Sequence, residues 1–359
     1  DVYKRQRLYL PCICGLCPTV DARCISSGVA GGTASAFAKT GPTVSPVPAG
    51  VLKKSSGITT RASRSCDGEM EGTAYNRRNR DERGGLVDFQ LSDDQRAIRD
   101  MVRDFARNEI IPNASQWDED QHFPRDLFTK LGELGMLGVV VPEEYGGAGL
   151  GYVEYVSILE EIGAADGAIG LSVAAHNSLC TNHLLLFGSD ELRREFLPKL
   201  ASGEWIGAWG LTESEAGSDA GGTRTTAVLD GDEWVLNGSK TFITHASVGD
   251  AVVLVARTSA EGGHHGISAF FVPFDRPGIE AGKKENKLGM RASDTSSLVL
   301  EDCRIPAAYL LGGEGEGFIQ AMKVLDGGRI SIAALSVGIA RGALDATLSY
   351  ASTREQFGK

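Results

Sequence analysis

The stretch of this sequence best suited to chemistry is a glycine-rich run, Gly210-Leu211-Thr212-Glu213-Ser214-Glu215-Ala216-Gly217-Ser218-Asp219-Ala220-Gly221-Gly222. Backbone N–H groups beside glycine can closely approach the polar edge of a planar ring or an anionic pyrophosphate, because no side chain intervenes. The alternative interpretation is an ordinary β-bulge loop, which also uses glycine. The run therefore predicts a binding segment only if other motifs accompany it.

Other motifs do follow in order along the chain. They are Glu143-Glu144-Tyr145-Gly146-Gly147, Asn237-Gly238-Ser239-Lys240, Arg291-Ala292-Ser293-Asp294-Thr295, Asp326-Gly327-Gly328-Arg329 and Arg354-Glu355-Gln356-Phe357-Gly358. Arg354 and Gln356 carry donors that suit phosphate oxygens, although a solvated helix end is the plainer explanation for them. Asp326 suits the N-terminal cap of a helix at least as well as it suits a direct contact with substrate.

The sequence also argues against several other kinds of site. The six histidines are scattered, and no pair has the i, i+4 spacing of a zinc-binding helix. No nucleophile elbow and no phosphate-binding P-loop occur in the sequence. A formal net charge of −11 argues against a nucleic-acid binder. No run approaches the roughly 18 consecutive apolar residues of a membrane span.

The elements that must position these motifs fall into three blocks. Residues 90–205 carry helical periodicity, beginning at a capping box formed by Ser92 and Gln95. Residues 206–316 are rich in Val, Ile and Phe and are punctuated by Gly and Pro, which predicts a β domain. Residues 317–359 become helical again. The order predicts an α+β protein with a helical, a β and a second helical domain.

Local patterns refine these blocks. In the first block the apolar side chains predicted to share helix faces are Ile98, Met101, Val102 and Phe105, then Leu127, Phe128, Leu131 and Leu134 after Pro124. Later helices are predicted over 152–162, 174–187 and 191–200. Strands are predicted over 223–229 and 233–236, joined at Gly231, and over 251–257, 267–272 and 297–300. In the last block we expect a short helix over 318–325 and a second helix from Arg329.

The N-terminal 69 residues contain no methionine and no sustained periodicity. Cys12, Cys14, Cys17 and Cys24 match no common metal-ligand spacing, and a targeting peptide would need an initiating methionine before it. We therefore interpret residues 1–69 as an upstream extension of the reading frame, and residues 70–89 as a polar lead-in that begins at Met70. The main body holds two isolated cysteines, Cys180 and Cys303, which predicts a reducing compartment.

Together these motifs resemble the acyl-CoA dehydrogenase family. Gly210 to Gly222 fits the family's first signature at every fixed position, and the resemblance spans about Phe89 to Lys359. It implies a helical domain, a β-barrel-like middle domain and a C-terminal helical bundle of which only the start is present. It also implies the cofactor FAD and the oxidation of the Cα–Cβ bond of an acyl-CoA to a trans-2-enoyl-CoA.

The resemblance also assigns roles to individual residues. The expected FAD contacts are Trp209, Leu211, Thr212, Gly217, Ser218, Phe242, Ile243, Thr244, Arg354 and Gln356. The expected substrate contacts are Ser218, Asp326 and Arg329. The family usually has Trp at Phe242 and Asn at His245, so the tuning of the flavin is expected to differ. Arg354 and Gln356 are expected to reach the FAD of a neighbouring subunit, which implies an oligomer, with a dimer of dimers as the expected form.

The family's catalytic base is a glutamate, and the resemblance implies that it lies beyond Lys359. In a minority of relatives the base directly precedes the arginine that matches Arg329, but here that residue is Gly328. Glu213 is expected to be structural and Glu215 to be solvated. The chain is accordingly expected to be truncated before its base, and to fold poorly alone because the last helix lacks partners.

The expected partners are an acyl-CoA and an electron-transfer flavoprotein, in the bacterial cytoplasm or the mitochondrial matrix. The run Ser172-Val173-Ala174-Ala175-His176-Asn177-Ser178-Leu179 resembles short-chain or branched-chain members. Two alternatives stay open. One is a flavin-dependent oxidase or monooxygenase of the same fold, and the other is a flavin-binding member without catalytic activity.

Overall fold

A computed structural model describes residues 89–359 of this chain. The predictions for residues 1–69 and for the lead-in up to residue 88 lie outside the described residues.

In the described part of the chain, seven α-helices precede the sheet. They are α1 (Asp93–Phe105), α2 (Ile111–Glu119), α3 (Arg125–Glu133), α4 (Tyr152–Ala165), α5 (Gly167–Ala175), α6 (Asn182–Phe187) and α7 (Asp190–Ala201). The predicted capping box at the start of α1 is confirmed: Gln95 N donates to Ser92 Oγ, and Ser92 N donates to Gln95 Oε1. On this helix Val102 is fully buried, but Met101 is 39% exposed, so the predicted apolar face was drawn too wide.

The second predicted helix begins where expected. Pro124 caps α3, and the stripe formed by Leu127, Phe128 and Leu131 is buried. Leu134 was wrongly included in that stripe, because the helix has already ended there and the side chain is 43% exposed.

Two π-helical turns interrupt the helices, and neither was predicted. Residues Ala106–Ile110 join α1 to α2, and residues His176–Thr181 join α5 to α6. The predicted helix over 174–187 is therefore an α–π–α element. A π turn adds a residue to the helical turn and rotates the side chains that follow, which changes the face they share.

The middle of the chain forms one sheet of eight strands. They are β1 (Gly207–Gly210), β2 (Thr226–Asp230), β3 (Glu233–Thr244), β4 (Ala251–Arg257), β5 (Ile267–Pro273), β6 (Ile279–Lys284), β7 (Thr295–Pro306) and β8 (Leu310–Leu311). The order is β6-β7-β3-β2-β4-β5-β8, with β1 parallel to β4. The predicted hairpin is confirmed, since β2 pairs antiparallel with β3 across Gly231, whose φ is +65°.

A single helix, α8 (Gly317–Thr353), follows the sheet. The predicted break at Asp326 is wrong: Asp326, Gly327 and Gly328 continue the helix, so Asp326 caps nothing. The helix packs closely on α4, where a Cβ at Gly338 would lie 2.4 Å from the backbone oxygen of Glu160. That close packing offsets the poor helix propensity of glycine.

By length and composition α8 also meets the criterion for a membrane span, which was not expected from the sequence. Only 22% of its most apolar stretch is buried; its N-terminal part contacts α4, α5 and β5, and residues 343–353 are exposed. The predicted α+β class is confirmed: along the chain, helices come both before and after the strands of the sheet.

Candidate cofactor and substrate groove

The glycine-rich segment continues directly from β1 and lies against the end of β3. Thr241 N donates to Thr212 O at 2.9 Å, and Lys240 Nζ donates to Leu211 O at 3.1 Å. Leu211 is 8% exposed and packs in the hydrophobic core. The structure therefore brings together two motifs that are about 30 residues apart in the sequence.

Glu213 fixes the turn that follows. Its carboxylate accepts from Lys240 Nζ at 2.7 Å, from Arg224 N at 2.7 Å and from Thr225 N at 3.1 Å. Burial by itself would raise the pKa of Glu213, but the charge and hydrogen bond of Lys240 outweigh it and lower that pKa. Glu213 thus has the expected structural role. Glu215 is exposed and paired with Arg224, as expected of a solvated residue.

The rest of the segment is an exposed loop with a fixed base. Gly217 and Ser218 are exposed, and a Cβ added to Gly217 would meet nothing within 4 Å. Arg257 holds the base of the loop by donating from Nη2 to Gly221 O at 2.8 Å and from Nε to Thr223 O at 3.0 Å. The open space at Gly217 leaves room for a ligand to approach the backbone.

The end of β3 presents an aromatic ring to the surface. A register shift in the β3–β7 pairing falls between Lys240 and Ile243, and Phe242 takes a φ of +58°. Its ring is 67% exposed, whereas Ile243 is buried and can offer only its backbone. A left-handed aromatic residue at a bulge is strained, and such strain concentrates at functional sites.

An apolar groove of about 420 Å³ begins beside this bulge. Its lining comprises Leu171, Ala174, Ala175, Ser178, Leu179, Thr244, Leu325, Gly328, Arg329, Ser331 and Ile332. These residues come from α5, the second π turn, the end of β3 and α8. Part of the run that resembles short-chain relatives therefore lines this groove, together with the predicted residues Thr244 and Arg329.

The residues beside the groove fit a flavin. The hydroxyl oxygen of Thr241 is buried without a hydrogen-bond partner next to the exposed ring of Phe242. Gly217 and Ser218 are exposed in the glycine-rich segment, which is joined to Thr241 by the bond from Thr241 N to Thr212 O. A planar ring with polar edges needs an aromatic wall and nearby donors, and these groups supply both. Among the described residues no cluster of three metal-ligating side chains occurs.

Some predicted site residues are not brought together. Arg354 and Gln356 are exposed beyond the end of α8, and their nearest contacts are Tyr350 and the backbone of Glu355. At 1.5 Å per residue they lie about 37 Å along the chain from Arg329. Asp326 pairs with Arg329 on the exposed side of α8.

Three buried histidines around the site were missed. His176 Nδ1 accepts from Gly207 N at 3.0 Å, and His245 Nδ1 lies 3.0 Å from Gly207 O, so two imidazoles clamp the first residue of β1. His183 bonds to Trp209 at 3.1 Å. Burial lowers the pKa of His176 to about 3 and those of His183 and His245 to about 4. Their sequence spacing carries no signal of this arrangement.

Comparison with known proteins gives matches along the described chain. Three profiles of one family match in order: "Acyl-CoA dehydrogenase, N-terminal domain" over residues 92–204, "Acyl-CoA dehydrogenase, middle domain" over 208–303 and "Acyl-CoA dehydrogenase, C-terminal domain" over 315–359.

Individual relatives agree. The chain is 49% identical over 274 residues to the probable acyl-CoA dehydrogenase YngJ of Bacillus subtilis, covering 76% of this chain and 72% of the relative. It is 46% identical to the short-chain specific acyl-CoA dehydrogenase of Clostridium acetobutylicum, with the same two coverages.

Solved structures match as well. One is a structure of the electron transferring flavoprotein of Acidaminococcus fermentans. It matches with a TM-score of 0.75 and 45% identity, over 76% of this chain and 72% of the matched chain. Another is a glutaryl-CoA dehydrogenase from Mycobacterium smegmatis in complex with FADH2. It matches with a TM-score of 0.71 and 38% identity, over 75% of this chain and 68% of the matched chain.

Proposed function

Because this chain belongs to the acyl-CoA dehydrogenase family, whose members depend on FAD, we propose that it dehydrogenates a short-chain acyl-CoA to a trans-2-enoyl-CoA. The observation that carries this proposal is the apolar groove that begins at Thr244, beside the exposed ring of Phe242. A groove of about 420 Å³ suits a small apolar group with one polar end.

We assign different residues to the binding of FAD and of the acyl-CoA. Leu211 and Thr212 offer backbone groups, Phe242 offers an aromatic wall, and Thr244 lies where the groove meets β3. The acyl chain would lie against the aliphatic side chains of α5 and α8, which exclude water. FAD, when bound, supplies the acceptor for the hydride that leaves the β-carbon.

The proton from the α-carbon needs a base that this groove does not contain. Among the described residues that line it, none is a carboxylate. Gly328, which stands where some relatives carry the base, lines the groove and has no side chain. We infer that the base is a glutamate beyond Lys359, whose basicity rises when a bound substrate excludes water.

Partners and location belong to the same proposal. The likeness to an electron transferring flavoprotein structure supports such a protein as the electron acceptor. Arg354 and Gln356, exposed and far from the groove, are free to reach the FAD of another subunit in a dimer of dimers. Cys180 and Cys303, the thiols in the described part of the chain, are buried and unpaired, which suits the bacterial cytoplasm or the mitochondrial matrix.

The test uses the complete gene product, mixed with a panel of acyl-CoAs and an electron-transfer flavoprotein. The proposal predicts a product two mass units lighter than butyryl-CoA, and slower turnover as the acyl chain lengthens. Turnover that consumes oxygen without the flavoprotein would instead indicate the oxidase alternative. Flavin binding without any product would indicate the non-catalytic one.

A further inference from the structure

A buried chain of hydrogen bonds leads away from Trp209, the residue three positions before Thr212. The indole Nε1 of Trp209 donates to Nδ1 of His183 at 3.1 Å. His183 lies in α6 and is 0% exposed. Its Nε2 lies 3.1 Å from Oε1 of Gln320, which is 2% exposed in the first turn of α8. Gln320 Nε2 in turn donates to Leu311 O at 2.8 Å.

Only one arrangement of protons satisfies this chain. An indole nitrogen can only donate, so Nδ1 of His183 must be an acceptor and carries no proton. The ring proton therefore lies on Nε2 and is donated to Gln320 Oε1. The amide of Gln320 is oriented by its own donation to Leu311 O. Every polar atom has a partner, and each donor–acceptor direction follows from its neighbour.

The chain also connects separate parts of the fold. It begins on β1, passes through α6 and the first turn of α8, and ends on β8. The histidine ring additionally lies at an angle of 46° to the indole, with the centroids 6.4 Å apart. A half-buried tryptophan held by one hydrogen bond to a fully buried ring has a restricted side-chain rotamer.

We propose that neutral His183 is a positioning residue for the cofactor: it fixes the indole of Trp209, and with it the strand that leads into Leu211 and Thr212, against the start of α8. This inference rests on the proposed function, because Trp209 is expected to lie along the flavin. His183 itself is not among the residues that line the groove.

A matched pair of substitutions separates the two bonds of the imidazole. His183→Asn keeps an oxygen near the position of Nδ1 and so retains an acceptor for Trp209, but loses the bond to Gln320. His183→Gln keeps a donor near Nε2 for Gln320 but loses the acceptor for the indole. Trp209→Phe removes the donor alone. The readouts are the Kd for FAD of the apoprotein, the flavin absorption spectrum and the Tm.

We expect His183→Gln to weaken FAD binding about tenfold, the equivalent of one buried hydrogen bond. His183→Asn restores the affinity to within about twofold of the parent, because the indole keeps its acceptor. In the Trp209→Phe background, His183→Gln changes the Kd by less than about twofold, since no indole donor remains to be lost.

Two results would overturn the inference. One is an equal loss of FAD affinity in both His183 variants. The other is a lower Tm with no change in the Kd or the flavin spectrum, which would leave His183 a purely structural residue. Failure of the proposed function is distinguishable, because it would appear as a parent protein that binds no FAD or converts no thioester, whatever stands at position 183.

Discussion

Lys240 and Glu213 show how single residues hold the site. Lys240 is 0% exposed and its ammonium donates to Glu213 Oε1 and Leu211 O. Burial lowers the pKa of Lys240 to about 8, and its charge keeps Glu213 ionised. An ion pair this deep is costly to break, because removing one partner leaves the other charge buried alone.

We therefore expect Lys240→Met to lower the free energy of unfolding by about 3 kcal/mol, as measured by urea denaturation. The double variant Glu213→Gln with Lys240→Met removes both charges and keeps one acceptor oxygen, which can serve Arg224 N or Thr225 N. It should recover part of that loss. An equal loss in both variants would contradict the claim that the cost comes from leaving Glu213 charged and unpaired.

Gly328 permits a direct test of the proposal that the groove contains no base of its own. It lines the groove, and a Cβ there would meet only Leu179 Cδ2, at an ordinary 3.4 Å. Gly328→Glu in the complete gene product, with its own catalytic glutamate replaced by Gln, should allow butyryl-CoA to bleach the flavin band. Gly328→Gln has the same size and no basicity, and should not. Bleaching in both variants, or in neither, would contradict the role assigned to this position.

The sequence predicted that Glu213 is structural, but it did not predict that Lys240 is its partner. The two residues are 27 apart, and their contact depends on how far β3 extends beside the segment after β1. The buried histidines were missed for the same reason. Their roles follow from packing against Gly207 and Trp209, which no local pattern encodes.

Among the elements, α8 is held to the helical part of the chain by a carboxylate between two guanidinium groups. Glu161 on α4 is 4% exposed and accepts from Arg103 of α1 at 2.7 Å and from Arg341 of α8 at 2.6 Å. Burial alone would raise the pKa of Glu161, but its bonds to Arg103 and Arg341 outweigh that and lower it.

Glu161→Gln should consequently lower the free energy of unfolding by about 2 kcal/mol, allowing for the partial exposure of both arginines. The matched control is Glu109→Gln, which neutralises an exposed carboxylate paired with Lys130 and should have a much smaller effect. Equal effects in urea unfolding would argue against an anchoring role for Glu161.

Sequence patterns predicted most of the helices and strands, but not where one helix continues without a break or changes to a π turn. Gly327 and Gly328 suggested a break, yet close packing of α8 on α4 carries the helix through them. The π turns at Ala106–Ile110 and His176–Thr181 left no trace in the periodicity. Such features are decided by tertiary contacts, which override local propensity.

For the whole molecule, the three neutral histidines predict acid sensitivity. Their pKa values in the fold are about 3, 4 and 4, against about 6.5 in an unfolded chain. Between these limits the unfolded state binds more protons, so stability rises with pH and is lost as pH falls from about 6.5 toward 4. The slope should reach about 4 kcal/mol per pH unit, measured by urea unfolding between pH 7.5 and 5.

His245→Asn supplies the matched variant for this prediction. Asparagine tolerates the left-handed backbone at this position, where φ is +66°, and it can still donate to Gly207 O. It should leave stability at pH 7.5 nearly unchanged and reduce the slope by about a third. An unchanged slope in His245→Asn would contradict the assignment.

The central claim is that the groove beside Phe242 holds an acyl thioester against a flavin, and one spectrum tests it most directly. The complete gene product, loaded with FAD and kept anaerobic, is titrated with butyryl-CoA while the visible flavin band is recorded. We expect the band to bleach. A flavin-loaded protein whose band is bleached by no acyl-CoA of any chain length would contradict it.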